Sequence, residues 1–139
     1  MNSELLVRLL VAVSLAALGA LAYVLFNRMT LARATSKVRR FRAYRPGLPA
    51  IVYFTTPTCA PCRAVQRPTL ERLSASLGRW FQLIEVDASR RPEVAQEWGV
   101  VSVPTTFVID AGGRPRFVNH GVATAEKLIH QLDLEDYTI

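Results

Sequence analysis

Cysteine is scarce in this chain. Its 139 residues hold two, Cys59 and Cys62, three positions apart. A structural zinc site draws on about four ligands. Beyond the pair, the chain offers His120 and His130 and no second close pair, so no metal is expected. Repeats and low-complexity segments are also absent, and the length fits one domain plus an appendage. A third lack is local. The 18 residues from Leu9 to Phe26 contain no charge and no proline, and only Ser14 and Gly19 depart from apolar or aromatic character.

That uncharged run is long enough to matter. At about 1.5 Å per residue it covers roughly 27 Å of helix, close to the hydrocarbon thickness of a bilayer. Leu5 to Val7 extend it, with Arg8 able to snorkel to the interface. The expectation is a transmembrane anchor over residues 1–27. Two alternatives exist. Ala20-Leu21-Ala22 has the small-x-small pattern of a signal-peptide cleavage site. However, Tyr23 to Phe26 continue the apolar run past it, and Glu4 offsets Arg8 in the leading segment. A buried core helix is the other alternative, against which the all-round apolarity argues.

The formal net charge is +6, which at first suggests a nucleic-acid binder. Residues 1–45 hold eight Lys or Arg and one Glu, a net +7; residues 46–139 hold nine Lys or Arg and ten Asp or Glu, a net −1. The globular part therefore has no basic face. The interleaved aromatics of a nucleic-acid arm are missing too, so no nucleic-acid partner is expected. The cations instead follow the apolar run: Arg28, Arg33, Lys37, Arg39, Arg40, Arg42 and Arg45. They suit anionic headgroups at about 1 kcal/mol each. With one cation before the span and seven after it, the positive-inside rule puts the C-terminal domain in the cytoplasm. An extracytoplasmic domain is the alternative. Residues 28–47 read as a basic juxtamembrane tether, helical from Thr30 to Phe41, that runs into the break Pro46-Gly47-Leu48-Pro49.

Residues 48–139 read as an α/β domain. Ile51 to Phe54 is short, apolar and rich in β-branched and aromatic residues, as in a buried central strand. A helix follows from Cys59 to about Leu77, with Val65, Leu70, Leu73 and Leu77 near helical spacing and Pro68 expected to kink it. Phe81 to Asp87 is a second strand. Pro92 to Trp98 is a short helix, with proline in its first turn and Gly99 at its end. Thr105 to Ile109 is a third strand, Ala111 to Arg114 a hairpin turn, and Arg116 to Asn119 an antiparallel edge strand. Thr124 is placed to cap a last helix with Leu128, Ile129 and Leu132 on its apolar face. The order is β-α-β-α-β-β-α. Strands joined through helices are expected to be parallel, giving a mixed sheet with helices on both faces.

Both cysteines fall where a strand ends and a helix begins. Unpaired N–H groups and the positive end of the helix dipole stabilise an anion there, so a thiolate at Cys59 is favoured. The thiolate is the species that attacks a disulfide. Cys62 lies one turn on, within reach, and can resolve a mixed disulfide from inside the protein. Pro61 suits a first helical turn. The alternatives are a structural disulfide closing a very small loop, an incomplete zinc site, and two coincidental thiols. CxxC at a strand-to-helix junction within βαβ favours redox chemistry.

The chain resembles the thioredoxin family in Ile51-Val52-Tyr53-Phe54, Cys59-Ala60-Pro61-Cys62-Arg63, Val86-Asp87, Pro92, Gly99-Val100, Val103-Pro104-Thr105 and Gly121. The resemblance covers about residues 48–134. It implies a thioredoxin-like fold and a protein-disulfide reductase with Cys59 and Cys62 as catalytic residues and no cofactor. It also implies a cis bond before Pro104, with Val103 and Pro104 binding the substrate chain; an ordinary proline opening an edge strand is the alternative. Implied partners are protein disulfides or thiols and a thiol reductant. That reductant would resemble thioredoxin reductase in the cytoplasm, or a transmembrane thiol carrier outside it. A thioredoxin-fold module that recruits partners to the membrane without redox turnover is the rival reading.

This sequence departs from the family at three positions. Thr58 stands where thioredoxins carry a Trp, Tyr53 where they carry a buried Asp, and Glu85 where they carry a Lys near that Asp. Glu85 is therefore a candidate replacement carboxylate near Cys62, with an ordinary solvated strand Glu as the alternative. The Ala60-Pro61 pair resembles the reducing end of a family that spans about −270 to −120 mV. His120, His130, Trp80 and Trp98 read as surface or packing residues.

Overall fold

A computed structural model describes residues 2–38 and 40–134; Arg39 and residues 135–139, which the expected basic segment and domain include, lie outside them. Helix α1 runs unbroken over Ser3–Val38. It is followed by β1 (Ala50–Thr55), a π-helical turn (Cys62–Gln66) leading into α2 (Arg67–Leu77), and β2 (Gln82–Asp87). Then come α3 (Pro92–Glu97), β3 (Thr105–Ile109), β4 (Pro115–His120) and α4 (Ala125–Leu132).

The strands form one sheet in the order β2-β1-β3-β4. β1 is parallel to β2, while β3 is antiparallel to both β1 and β4. The mixed sheet matches the expectation; the direction of β3 corrects it. Strands joined through helices are parallel only if the helix carries the chain back along the sheet. α3 has six residues, about 9 Å of helix against roughly 20 Å for a six-residue strand. The chain therefore enters β3 at the end where β2 finished. Asp87 pairs with Thr55, and Thr105 pairs with Phe54 beside it. This is the Thr55 end of the sheet; the opposite, Asp110 end carries the β3–β4 hairpin. Gly113 turns that hairpin with φ of 82°, and Asp110 Oδ1 accepts from the Arg114 amide at 2.9 Å.

Every residue of β1 is buried, as a central strand covered on both faces requires. One face carries Val52, Phe54, Phe107 and Ile109 against Trp98, Ala34 and Val38. Trp98 is fully buried and contacts Phe41, Phe54 and Phe107 edge-on or tilted, with ring centroids 5.1–5.8 Å apart. The other face carries Ile51, Tyr53 and Val108 against Leu70, Leu73, Leu128 and Leu132. Thr124 caps α4, its hydroxyl accepting from the Lys127 amide at 3.3 Å.

α1 joins these layers through its last turns. Thr30, Ala34 and Val38 recur every four residues and are buried. Gly99, at φ of 72°, lies under Thr30 and Arg33. Upstream, the apolar window of α1 is 0% buried, and it is long and apolar enough to cross a membrane. The segment expected as a tether thus continues the helix as far as Val38 and lies on the domain.

Candidate functional site

The site forms where β1 stops. After Thr55 the chain turns through Pro57 and Thr58, and the Cys59 amide donates to the Thr56 carbonyl at 3.3 Å. Pro61 has φ of −65°, already helical. Pro68 has no N–H and its ring crowds the preceding turn. The expected kink is realised there as the π-turn, with the Arg67 amide bonding the Cys62 carbonyl five residues back.

Cys59 and Cys62 form a disulfide with 5.2 Å between Cα atoms. Cys59 retains 9% of its surface and Cys62 none, so the first sulfur is the one within reach of a partner. The Cys62 amide points at Cys59 Sγ, 3.2 Å away. A thiolate on Cys59 would therefore meet an N–H of the first helical turn.

Val103 and Pro104 lie just before β3. Their peptide bond is cis. Val103 is partly buried and packs against the cluster containing both cysteines. The Pro104 carbonyl accepts from the Gly121 amide at 2.9 Å, and the Thr105 hydroxyl donates to the Ser102 carbonyl at 2.7 Å. Thr58 is exposed beside Cys59.

Tyr53 lies beneath the cysteines, fully buried, with its hydroxyl 3.5 Å from the Cys62 carbonyl. Burial pushes its phenol above the ordinary value of 10.0, and the negative charge of Glu85 acts in the same direction. Glu85 pairs with Tyr53 in register and so shares its face of the sheet. Its carboxylate is held by Arg67 at 2.8 Å, with the Glu85 side chain 45% exposed. The carboxylate near the helix is thus engaged by an arginine at the exposed margin.

Gln66 is a site residue that sequence reasoning missed. It is fully buried. Its Nε2 donates to the Ala123 carbonyl at 3.2 Å, and its Oε1 accepts from the Ala123 amide at 2.7 Å. This clamp fixes the cysteine-bearing helix to the strand-to-helix loop beyond Gly121. The available signal was spacing: Gln66 is four residues after Cys62, on the same helical face.

The two histidines lie at different ends of the sheet. His130 is exposed and lines a surface cleft with Leu48, Trp80 and Arg114, at the Asp110 end. His120 ends β4, with Nε2 3.0 Å from Asn27 Oδ1 and its ring 5.4 Å from that of Phe26. Burial lowers its pKa from 6.5. Among the described residues, no three His, Cys, Asp or Glu side chains gather closely enough to hold a metal.

Comparison with known proteins gives one family. The model of the thioredoxin family matches residues 42–134. A thioredoxin-like protein of Synechocystis sp. is 31% identical over 86 residues, which are 62% of this chain and 80% of the relative. The thioredoxin of Pyropia yezoensis is 27% identical, over 62% of this chain and 79% of its own. Among solved structures, Fasciola hepatica thioredoxin superposes with a TM-score of 0.56 at 26% identity, covering 63% of this chain and 81% of that one.

Proposed function

Because the chain belongs to the thioredoxin family, we propose that it reduces protein disulfides through Cys59 and Cys62 while anchored in a membrane. The observation that carries this reading is the placement of the pair: a nearly buried Cys59 at the β1-to-helix junction and a fully buried Cys62, with Val103 packed against their cluster.

In the reduced protein, Cys59 as thiolate attacks one sulfur of the substrate disulfide. That S–S bond breaks, a Cys59–substrate disulfide forms, and the first substrate sulfur leaves as a thiolate and takes up a proton. Cys62 loses its proton and attacks Cys59 Sγ. The second substrate thiol is released, and the Cys59–Cys62 disulfide closes. Two electrons have passed from the pair to the substrate. The helix N-terminus favours the charge on Cys59, and the Gln66–Ala123 clamp keeps the helix against the loop beyond Gly121, whose amide donates to the Pro104 carbonyl. Val103, packed against the cluster that contains both cysteines, and Pro104 are assigned to bind an extended substrate segment. A thiol donor of the reductase or transmembrane-carrier class returns the two electrons.

The anchor is assigned to residues 1–27, the basic connection to 28–47 and the catalytic domain to 48–139. The seven cations after the apolar run favour a cytoplasmic domain.

The test uses the full chain in detergent, because Ala34 and Val38 of α1 complete the core. With dithiothreitol as donor, it should reduce insulin disulfides, and Cys59→Ser should abolish turnover. Cys62→Ser should accumulate mixed disulfides on Cys59. Absence of both turnover and trapped adducts would refute the redox reading and leave a recruiting module.

A further inference from the structure

We propose that the cysteine pair is aimed at the bilayer, so that its partner is a disulfide of an integral membrane protein lying at headgroup level. The inference rests on the proposed span and reacting pair.

The first observation is the direction of α1. Phe26, the last residue of the apolar run, and Asn27 touch His120. His120 ends β4 and pairs with Thr105, the residue after Pro104. Beyond α1 the chain reaches the opposite end of the sheet. There the Tyr44 hydroxyl lies 3.4 Å from the Asp110 carbonyl, and the Gly47 amide donates to the Ala111 carbonyl at 3.1 Å. α1 therefore runs from the Thr55 end to the Asp110 end, and its apolar part projects beyond the end that carries Cys59 and Pro104.

The second observation is stiffness. Span and docking stripe belong to one unbroken helix, so no loop separates the anchor from the domain. The lateral offset is small, since β1 is two strands from β4, about 10 Å at ordinary strand spacing. The site thus lies near the level where the apolar run ends.

The third observation is the rim. Val101 is 74% exposed, Val65 47% and Val122 44%. Val101 precedes the Val103-Pro104 loop, Val122 follows Gly121, and Val65 follows Cys62. Exposed apolar side chains on the segments that carry the site suit a partner whose cysteines lie at the end of a membrane-spanning segment. A lipid surface alone offers Cys59 no sulfur to exchange with. The exchange is the one written above, with the partner's S–S bond broken and its two thiols released. The same placement favours disulfides at the membrane over those a partner carries far from it.

Two measurements on the full chain in lipid nanodiscs test this. In a Cys59→Ser, Cys62→Ser background, nitroxides go on Val101→Cys, Val122→Cys and Ala111→Cys. Headgroup-linked nickel should relax the first two several-fold more than the third. Equal relaxation at all three, or failure of the chain to enter nanodiscs, overturns the proposal.

The second measurement co-reconstitutes single-span peptides carrying a disulfide about 3 or about 30 residues from the span. The near disulfide should be reduced about tenfold faster, as an effective-concentration gain. Two Glu-Ala-Ala-Ala-Lys repeats between Leu25 and Phe26, about 15 Å of helix, should remove that preference and leave insulin reduction within about twofold. Equal rates on both peptides would refute the orientation while insulin turnover persists; loss of insulin turnover by the unmodified chain would refute the redox reading instead.

Discussion

Residues 3–26 and 27–38 of α1 belong to one helix and present two different surfaces. Upstream, large apolar side chains point in every direction, and Leu10, Val13, Leu15 and Leu18 are all more than 60% exposed in the isolated chain. Downstream, the cations Arg28, Arg33 and Lys37 share the helix with Thr30, Ala34 and Val38, which are 3%, 0% and 0% exposed. The first part is long and apolar enough to cross a membrane, and the second packs against one neighbour on one side. Hydrophobicity alone ranks the two parts in the wrong order of burial within the protein. Small residues every fourth position occur in both parts (Ala12, Ala16 and Ala20 upstream; Thr30 and Ala34 downstream), and only the downstream set meets the sheet and Gly99.

The contrast can be broken by substitution. The largest effect is expected on the partner side of the docking stripe. Trp98 fills the space between α1 and the sheet, and Trp98→Ala should cost about 3–5 kcal/mol, read by urea denaturation of the full chain in detergent with circular dichroism. Enlarging the stripe sharpens the comparison. Ala34→Leu should cost about 1–3 kcal/mol through overpacking. Ala17→Leu, on the exposed apolar part, should stay within about 0.5 kcal/mol. Equal costs at the two positions would mean that the two surfaces do not differ.

Much of this architecture is legible in the sequence, for reasons that differ by element. β1 and β3 announce themselves because strands buried on both faces read as continuous apolar runs. The helix start at the cysteines, the proline-driven distortion and the Gly112-Gly113 turn follow from local backbone chemistry. The direction of β3 does not. It depends on comparing the length of α3 with the strands it would have to retrace. The packing of residues 28–38 is also hidden, because Thr30 and Ala34 are weak hydrophobic signals among strongly charged neighbours. Gln66 escapes for a related reason. A glutamine in a helix reads as solvated until its two partners on Ala123, 57 positions away, are known.

The smallest effect tests the joint between the two parts of α1. His120 is partly buried against Phe26 and Asn27, and burial lowers its pKa below 6.5. Lowering a histidine's pKa means that the unfolded chain binds the proton more readily than the folded one. Stability therefore rises with pH across that interval. The contribution is intact above about pH 7.5, declines as pH falls through the unfolded value near 6.5, and levels off below the folded value. Urea midpoints of the full chain in zwitterionic detergent should be lower at pH 5.5 than at pH 7.5. His120→Phe keeps a ring against Phe26 and cannot titrate, so it should flatten that dependence. An unchanged pH dependence in this variant would place the sensitivity elsewhere and detach the joint from His120.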